Sequence, residues 1–390
     1  MKIVHLCLAC FYIDGYGYQE NLLPRYHARM GHDVSIIAST QTFDRDGRPA
    51  WLPGAMWYVN GDGIPVRRLA YRLPQRLNRV LKSYRGTCAA LCEAAPDVLF
   101  IHGCQFLDVD AVVRYAKRHP ELRVYVDNHA DFSNSARNPL SRIALHGGLW
   151  KRAARKLLPH ARKFYGVLPS RVDFLRQVYG VPAEKVELLP MGVDSGWIRP
   201  GAAERARASL GLPEGAFLIV TGGKLDGFKR QTLLLMQAVR ALAALPVYLV
   251  VFGSVAPELR AEAAALCDGE RVRHVGWLDG PGICAWLGAA ELAAFPGRHS
   301  VLWEQAAGVG TPLLCGRQTD VSHISEWGGV VTVDAEAVEP LRSAIAALFA
   351  DKERYRRLKE AALRGRSRFT YAEIARRSIE EGPREEENAP

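Results

Sequence analysis

Short apolar runs of four to eight residues alternate with helical patterns along almost the whole chain, and the alternation comes in two successive series. In the first, Lys2–Ala9, Asp33–Ala38, Asp97–His102, Arg123–Asp127 and Lys163–Leu168 read as strands, with helices predicted over Gln19–Met30 and Asp108–Arg118. In the second, strands Phe217–Thr221, Val247–Phe252, Val272–Val275, Leu292–Phe295 and Pro312–Cys315 are separated by helical patterns at Gln231–Leu245, Pro257–Cys267, Gly282–Ala289 and Leu302–Gly308. Strands joined through helices pair in parallel, because each crossover returns the chain to the starting end of the sheet. The expectation is α/β: two Rossmann-like doubly wound domains, each holding ligands beyond the carboxyl ends of its strands. The 390 residues suit two domains of roughly 150–200 residues. An N-terminal domain is placed over 1–195, a linker around Ile198–Gly201 and a C-terminal domain over 196–369. A late helix at about 370–382 is a candidate to pack back on the first domain, and a polar tail over 383–390 is expected to be disordered. Two domains imply a cleft.

No stretch approaches the ~18–20 uninterrupted apolar residues that cross a bilayer. The run Met1–Leu8 reads as a first strand rather than a leader, since Asp14 and Glu20 soon follow and no small-residue cleavage site is evident, so a cytoplasmic protein is expected. The eight cysteines sit in apolar segments, and Cys7-Leu8-Ala9-Cys10 lacks the second pair or nearby His of a zinc set, so it reads as packing. The formal charge of +10 is lopsided: residues 1–195 carry 27 Lys and Arg against 17 Asp and Glu, and residues 196–390 carry 24 against 24. In Arg67 to Arg85 and Arg137 to Arg176 the basic residues are interleaved with Leu, Ile, Trp and Tyr. Two readings stand for these segments: an anionic membrane surface, and an ordinary solvated helix face. No nucleic-acid recognition motif accompanies them, and no nucleic-acid partner is expected.

Two stretches of the C-terminal half carry candidate chemistry. Gly222-Gly223-Lys224-Leu225-Asp226-Gly227-Phe228-Lys229-Arg230 is a glycine turn with two lysines five apart that leads from a strand into a helix. Glycines admit a close ligand, the helix N-terminus carries partial positive charge, and two ammonium groups neutralise an anion such as a diphosphate. The second stretch, Phe295 to Pro312, sets Glu304 in an otherwise apolar helix, where a carboxylate is costly to bury without partners. It reads either as an acid for ribose hydroxyls or as a salt-bridged helix residue.

These stretches, with Val272-Arg273-His274-Val275-Gly276-Trp277 between them, resemble in order and spacing the motifs of the retaining GT-B glycosyltransferases of family 4. Leu189-Pro190-Met191-Gly192-Val193-Asp194 is similar to that family's Pro-Asn-Gly-Val-Asp junction, with Met191 for Asn; Gly15-Tyr16-Gly17 and Gly31-His32-Asp33-Val34 resemble its N-terminal loop and strand entry. The resemblance spans the chain. It implies a GT-B fold, two Rossmann-like domains facing across a cleft, and transfer of a sugar from a UDP- or GDP-type nucleotide sugar to a glycan or lipid-linked acceptor in envelope polysaccharide or lipopolysaccharide synthesis. It further implies that Lys224 and Lys229 bind the donor phosphates beside Gly223, that Glu304 holds the ribose, and that His299, Ser300, Val301 and Leu302 offer backbone N–H groups to the distal phosphate and sugar. Trp277 and Leu278 would border the base, Gly15 and Gly17 would let the N-terminal loop approach the donor, and His129 would meet the transferred sugar. A retaining reaction of this family needs no agreed protein nucleophile; the leaving phosphate itself takes the acceptor proton.

The sequence departs from that pattern at one end. The family's two glutamates stand eight positions apart, and counting back from Glu304 lands on Pro296. Counting back from Pro312 instead puts Gln305 at the second glutamate, so either neighbour is a ribose ligand. Asp44-Arg45-Asp46 and Asp108-Val109-Asp110 spell the Asp-x-Asp of a metal clamp, but the first lies in a loop and the second begins a helix where aspartates cap, and no metal or other cofactor is expected. A nucleotide-sugar 2-epimerase and a non-catalytic nucleotide-sugar binder are the rival readings.

Overall fold

The computed structural model describes residues 1–44 and 48–380. Asp46 of the first Asp-x-Asp string and the tail over 383–390 lie outside them. The chain divides into two compact units, one comprising Met1–Pro190 with the residues from Ile374 onward, the other Met191–Glu373.

The N-terminal unit is built on an eight-stranded sheet. Its order is Val186–Leu188, Ala161–Gly166, Arg123–Asn128, Val98–His102, Lys2–Cys7, Asp33–Ser39, Pro65–Leu69 and Met56–Val59, parallel except for the last pair. Lys2–Cys7 is buried at every position after Lys2, and Val98–His102 throughout, as a parallel strand covered on both faces must be. Helix Val109–Arg118 buries Val109, Val112, Tyr115 and Ala116, the i, i+3, i+4 stripe of one face against a sheet. The C-terminal unit carries a six-stranded, wholly parallel sheet ordered Val272–His274, Val247–Phe252, Phe217–Gly222, Leu292–Phe295, Leu313–Gly316 and Val330–Val333. Both sheets have the expected doubly wound plan.

The last helix, Tyr371–Ser378, begins in the second unit and ends in the first. Ile374, Ala375 and Ile379 are buried, and burying the two isoleucines is worth about 3–6 kcal/mol. Arg377 Nη2 donates to Leu188 O at 2.9 Å and Tyr125 Oη to Ile379 O at 3.2 Å, tying the segment to the N-terminal sheet.

Three local expectations are corrected. The first basic segment begins inside the core: Arg68 is 1% exposed, and its guanidinium donates to Tyr12 O, Ser39 O and Asp14. Only helix Gln75–Leu81 of that segment, with Leu77 and Val80 exposed, forms an amphipathic surface. Asp108 does not cap its helix, because its carboxylate accepts from Ser83 Oγ, Tyr84 N and Thr87 Oγ1 and so fastens a neighbouring loop instead. Gly280–Ala289 starts two residues before the expected Gly282, since Asp279 caps it by accepting from Gly282 N at 2.8 Å and Pro281 suits its first turn.

Three glycine turns at the strand ends of the C-terminal unit are laced by backbone alone. Gly223 N donates to Phe252 O (3.1 Å), Leu225 N to Ser254 O (2.8 Å) and Gly253 N to Gly276 O (2.7 Å). Gly253 has φ +106°, and a Cβ there would overlap the Gly223 carbonyl. Gly253→Ala is therefore expected to destabilise the C-terminal unit by about 2–5 kcal/mol, from left-handed strain plus overpacking. A thermal melt within a degree of wild type would contradict this.

Candidate functional site

Chain order in the C-terminal sheet reverses between Phe217–Gly222 and Leu292–Phe295, the switch point at which doubly wound sheets hold ligands. The segments that leave these two strands are the glycine-lysine turn and Pro296–Val301. They enclose a small cavity lined by Gly222, Lys229, Gly297, Arg298, Ser300 and Trp303, among others. Gly223 has φ +103°, and the position its Cβ would take lies 3.3 Å from Leu302 Cδ1 and 3.4 Å from Lys229 Nζ. Any larger residue would press on both.

The two lysines differ. Lys229 is half-buried, and that burial lowers its pKa, with the Asp226 carboxylate acting in the opposite direction. Its ammonium has no hydrogen bond or ion pair among the described residues, so its charge is open to a ligand. Lys224 is exposed, stands 3.9 Å from Asp226 Oδ2 and does not line the cavity. The amides of Ser300, Val301 and Leu302 lead helix Leu302–Val309, where N–H groups have no intrahelical acceptor. An open cation and a helix N-terminus together make an anion site.

Glu304 and Gln305 face different ways. Glu304 is wholly buried, and its Oε1 accepts from His299 Nε2 and His323 Nε2, each at 2.8 Å, while Oε2 has no partner. Burial alone would raise its pKa, but the two imidazoles outweigh it and bring the carboxyl down to about 2. His299, Glu304 and His323 place three metal-ligand-type atoms within 4.8 Å, the one such cluster among the described residues; here the set is closed by its own hydrogen bonds. Gln305 lies three residues beyond Leu302, on the neighbouring part of the helix surface, and its buried Oε1 is unpaired.

Trp277 is 76% exposed. With Gly253, Ser254, His274 and Arg260 it lines a cavity of about 600 Å³ at the ends of Val247–Phe252 and Val272–His274, on the same side of the sheet as the glycine loop. Leu278 is part-buried against the core cluster that includes Trp286 and Leu287.

In the N-terminal unit the chain order reverses between Lys2–Cys7 and Val98–His102. Gly15 (φ +78°) and Gly17 lie in the segment after the first of these strands, flanked by exposed Tyr16 and Tyr18. His129 follows the next strand, Arg123–Asn128, with its Nε2 3.4 Å from Asp127 Oδ2. Behind Asp127 stands a feature the sequence did not disclose. His102 Nδ1 lies 2.9 Å from Asp127 Oδ2, His5 Nδ1 3.0 Å from His102 Nε2, and His27 Nδ1 2.9 Å from His5 Nε2. All four side chains are fully buried. These residues come from three strands and a helix; the only signal in the sequence is a polar ring inside each apolar run, at His5 and His102. Of the Asp-x-Asp strings, Asp108 is spent as described and Asp110 pairs with Lys156 Nζ at 2.7 Å.

Residues 18–192 match the family described as glycosyl transferase 4-like domain. D-inositol 3-phosphate glycosyltransferase 1 of Catenulispora acidiphila is 33% identical over 231 residues, covering 54% of each chain. The protein of that name in Segniliparus rotundus is 28% identical over 213 residues, covering 52% of this chain and 47% of its own. The chain spans about half the length of the curated relatives it matches. Among solved structures, sucrose-phosphate synthase from Thermosynechococcus elongatus aligns with TM-score 0.64 at 18% identity over 97% of both chains. HepE of Anabaena, solved with UDP and glucose, aligns with TM-score 0.62 at 16% identity over 97% of this chain and 98% of its own. The overall fold is GT-B.

The lowered pKa of Glu304 has a consequence for stability. A carboxyl depressed from near 4.5 to about 2 contributes stability that is present above pH 4.5 and lost as pH falls toward 2. Glu304→Gln is expected to cost on the order of 3 kcal/mol at pH 7, and the gap to wild type should close between pH 4.5 and 2 in urea unfolding. A gap independent of pH would count against an ionised Glu304.

Proposed function

We infer that this chain is a member of the glycosyl transferase 4-like family, whose domain its residues 18–192 match, and that it moves a glycosyl group with retention from a UDP- or GDP-type nucleotide sugar to a glycan or lipid-linked acceptor. The observation that carries the reading is the open, half-buried Lys229 ammonium beside a helix N-terminus at the switch point of a parallel sheet. Glycosyl transfer from a nucleotide sugar leaves a nucleoside diphosphate behind, and a preorganised cation plus backbone N–H groups stabilises that charge as it develops. Similar folds were solved with UDP and glucose and with UDP-glucose.

Residue roles follow. Lys229 takes the diphosphate with the amides of Ser300, Val301 and Leu302, and Lys224 is the outer, solvent-side cation. Gly223 leaves room for the phosphates. Gln305, whose buried Oε1 is unpaired, joins Glu304 as a ribose ligand, with Glu304 bracing His299. Trp277 and Leu278 border the base. Gly15 and Gly17 let the N-terminal loop approach the donor, and His129 meets the transferred sugar. The leaving phosphate accepts the acceptor's proton, and no metal is needed for these steps.

A lipid-linked acceptor is favoured by two exposed amphipathic stretches. Leu77 and Val80 share a short helix with Arg76 and Arg79, and Leu140 and Ile143, 75% and 72% exposed, flank Arg142. Such surfaces suit an anionic membrane face, and the acceptor would then belong to envelope polysaccharide or lipopolysaccharide assembly on the cytoplasmic side. Binding of the purified protein to vesicles with a quarter anionic lipid should be clear at low salt and weaken several-fold at 0.5 M NaCl. Failure to sediment at low salt rejects the membrane assignment and leaves a soluble acceptor.

The test of the main reading is a thermal-shift panel of UDP, GDP and ADP with their glucose or mannose conjugates, since a ligand bound by the native state alone raises its melting temperature. One nucleoside diphosphate is expected to shift the melt, and Lys229→Ala to weaken it at least tenfold, about 1.4 kcal/mol. Transfer is then assayed on an acceptor panel that includes D-inositol 3-phosphate, the compound in the relatives' names. No shift by any of them, or an unchanged affinity in Lys229→Ala, overturns the assignment. Binding without turnover, or conversion of the donor without acceptor, would favour the non-catalytic binder or the epimerase; the absence of an acid at Pro296 is what keeps the former in view.

A further inference from the structure

The buried histidine chain of the N-terminal unit admits a proton count. Its far end is closed by groups that accept: His27 Nε2 lies 3.0 Å from Ala375 O and 3.0 Å from Ser378 Oγ, and that hydroxyl donates its own proton to Ala375 O. His27 Nε2 must therefore carry hydrogen, so its Nδ1 accepts from His5 Nε2, and His5 Nδ1 accepts from His102 Nε2. The near end is Asp127 Oδ2, 2.9 Å from His102 Nδ1. Four hydrogen bonds need four protons, and three neutral imidazoles own three. The fourth belongs to the His102–Asp127 pair.

Which partner holds it follows from the surroundings. Asp127 Oδ2 also accepts from Gln19 Nε2 at 3.3 Å, which favours a carboxylate over a hydroxyl there, and His129 Nε2 stands 3.4 Å from the same oxygen without a formed hydrogen bond. Burial works against a charged His102, but the nearby Cys7 and Asp127 outweigh it and raise the imidazole to about 9. Burial likewise works against an ionised Asp127, and the two flanking histidines hold its carboxyl well below the usual range.

We propose that Asp127 is the positioning carboxylate of His129, and that the chain His102–His5–His27, carrying one proton beyond the neutral count, keeps that carboxylate ionised and fixed in direction. His102 balances the buried charge, so Asp127 can hold a third donor without an uncompensated anion in the core. His129 is then oriented with Nε2–H toward Asp127 and Nδ1 turned away, a lone pair presented to a sugar hydroxyl. The proposal rests on the assignment of His129 to the transferred sugar, but the proton count does not.

The experiment has two arms on the full chain. In the first, ¹⁵N-histidine NMR of the wild type at pH 7.5 is read without ligand, using His102→Gln and His129→Ala for assignment. Both ring nitrogens of His102 should be protonated, and His129 should be mainly the Nε2–H tautomer. A neutral His102 or an Nδ1–H His129 overturns the proposal. In the second, Asp127→Asn and Asp127→Glu are compared with wild type in turnover of UDP-glucose, with binding followed by calorimetry. Asp127→Asn should lower kcat at least tenfold with donor Kd within threefold, and Asp127→Glu should recover part of it. A folded Asp127→Asn with wild-type kcat overturns the proposal. If the wild type turns over no sugar nucleotide, the transferase reading fails while the NMR arm still decides the proton count.

Discussion

The C-terminal unit depends on backbone touching backbone. Gly223, Gly253 and Gly276 lie in three loops that follow three different strands; Gly223 N bonds Phe252 O and Gly253 N bonds Gly276 O, and Gly253 comes so close to the Gly223 carbonyl that a Cβ would overlap it. Because the contact involves no side chain, it holds the loops in one arrangement whatever their tips carry. Lys229 on one loop and Trp277 on another are thus set against a fixed floor, which spares a ligand the entropy of ordering them. The parallel sheet below supplies the remaining rigidity, its central strands buried on both faces.

Charge is handled differently in the two units. At the switch point of the second, a cation is left open and half-desolvated, ready for an anion that arrives from outside. In the first, the buried charges of Asp127 and Arg68 are answered within the protein, Asp127 by His102 and Arg68 by Asp14 and carbonyl oxygens. In the function proposed above, the open site binds and the closed one orients. That division fits a reaction in which most of the new charge develops on the leaving diphosphate.

Fold class was legible because period and element order are written locally: Phe217–Thr221 needs only its own apolar run to be read as a strand. The glycine-lysine turn was legible for the same reason. What could not be read was anything that depends on two distant segments meeting. His5, His27 and His102 are unremarkable one by one, and only sheet order brings them into line. Arg68 reads as one more basic residue of a charged stretch until Tyr12, Ser39 and Asp14 are found around it. Glu304 and Gln305 are adjacent letters, and the helix turn separates them into a carboxylate held by two histidines and a carboxamide whose buried oxygen has no partner.

The return of the last helix to the first unit sets an order of events during synthesis. His27 finds its acceptors at Ala375 and Ser378, and Tyr125 finds Ile379 and Glu380. Residues 191–373 must leave the ribosome before those partners exist, roughly 10–40 s at ordinary elongation rates. Over that interval the nascent first unit carries a buried-to-be histidine and an apolar strip with nothing over them, while the second unit, contiguous in sequence, can close on its own. The half that is made first is finished last, and a chaperone that shields the uncovered strip would act on that half alone.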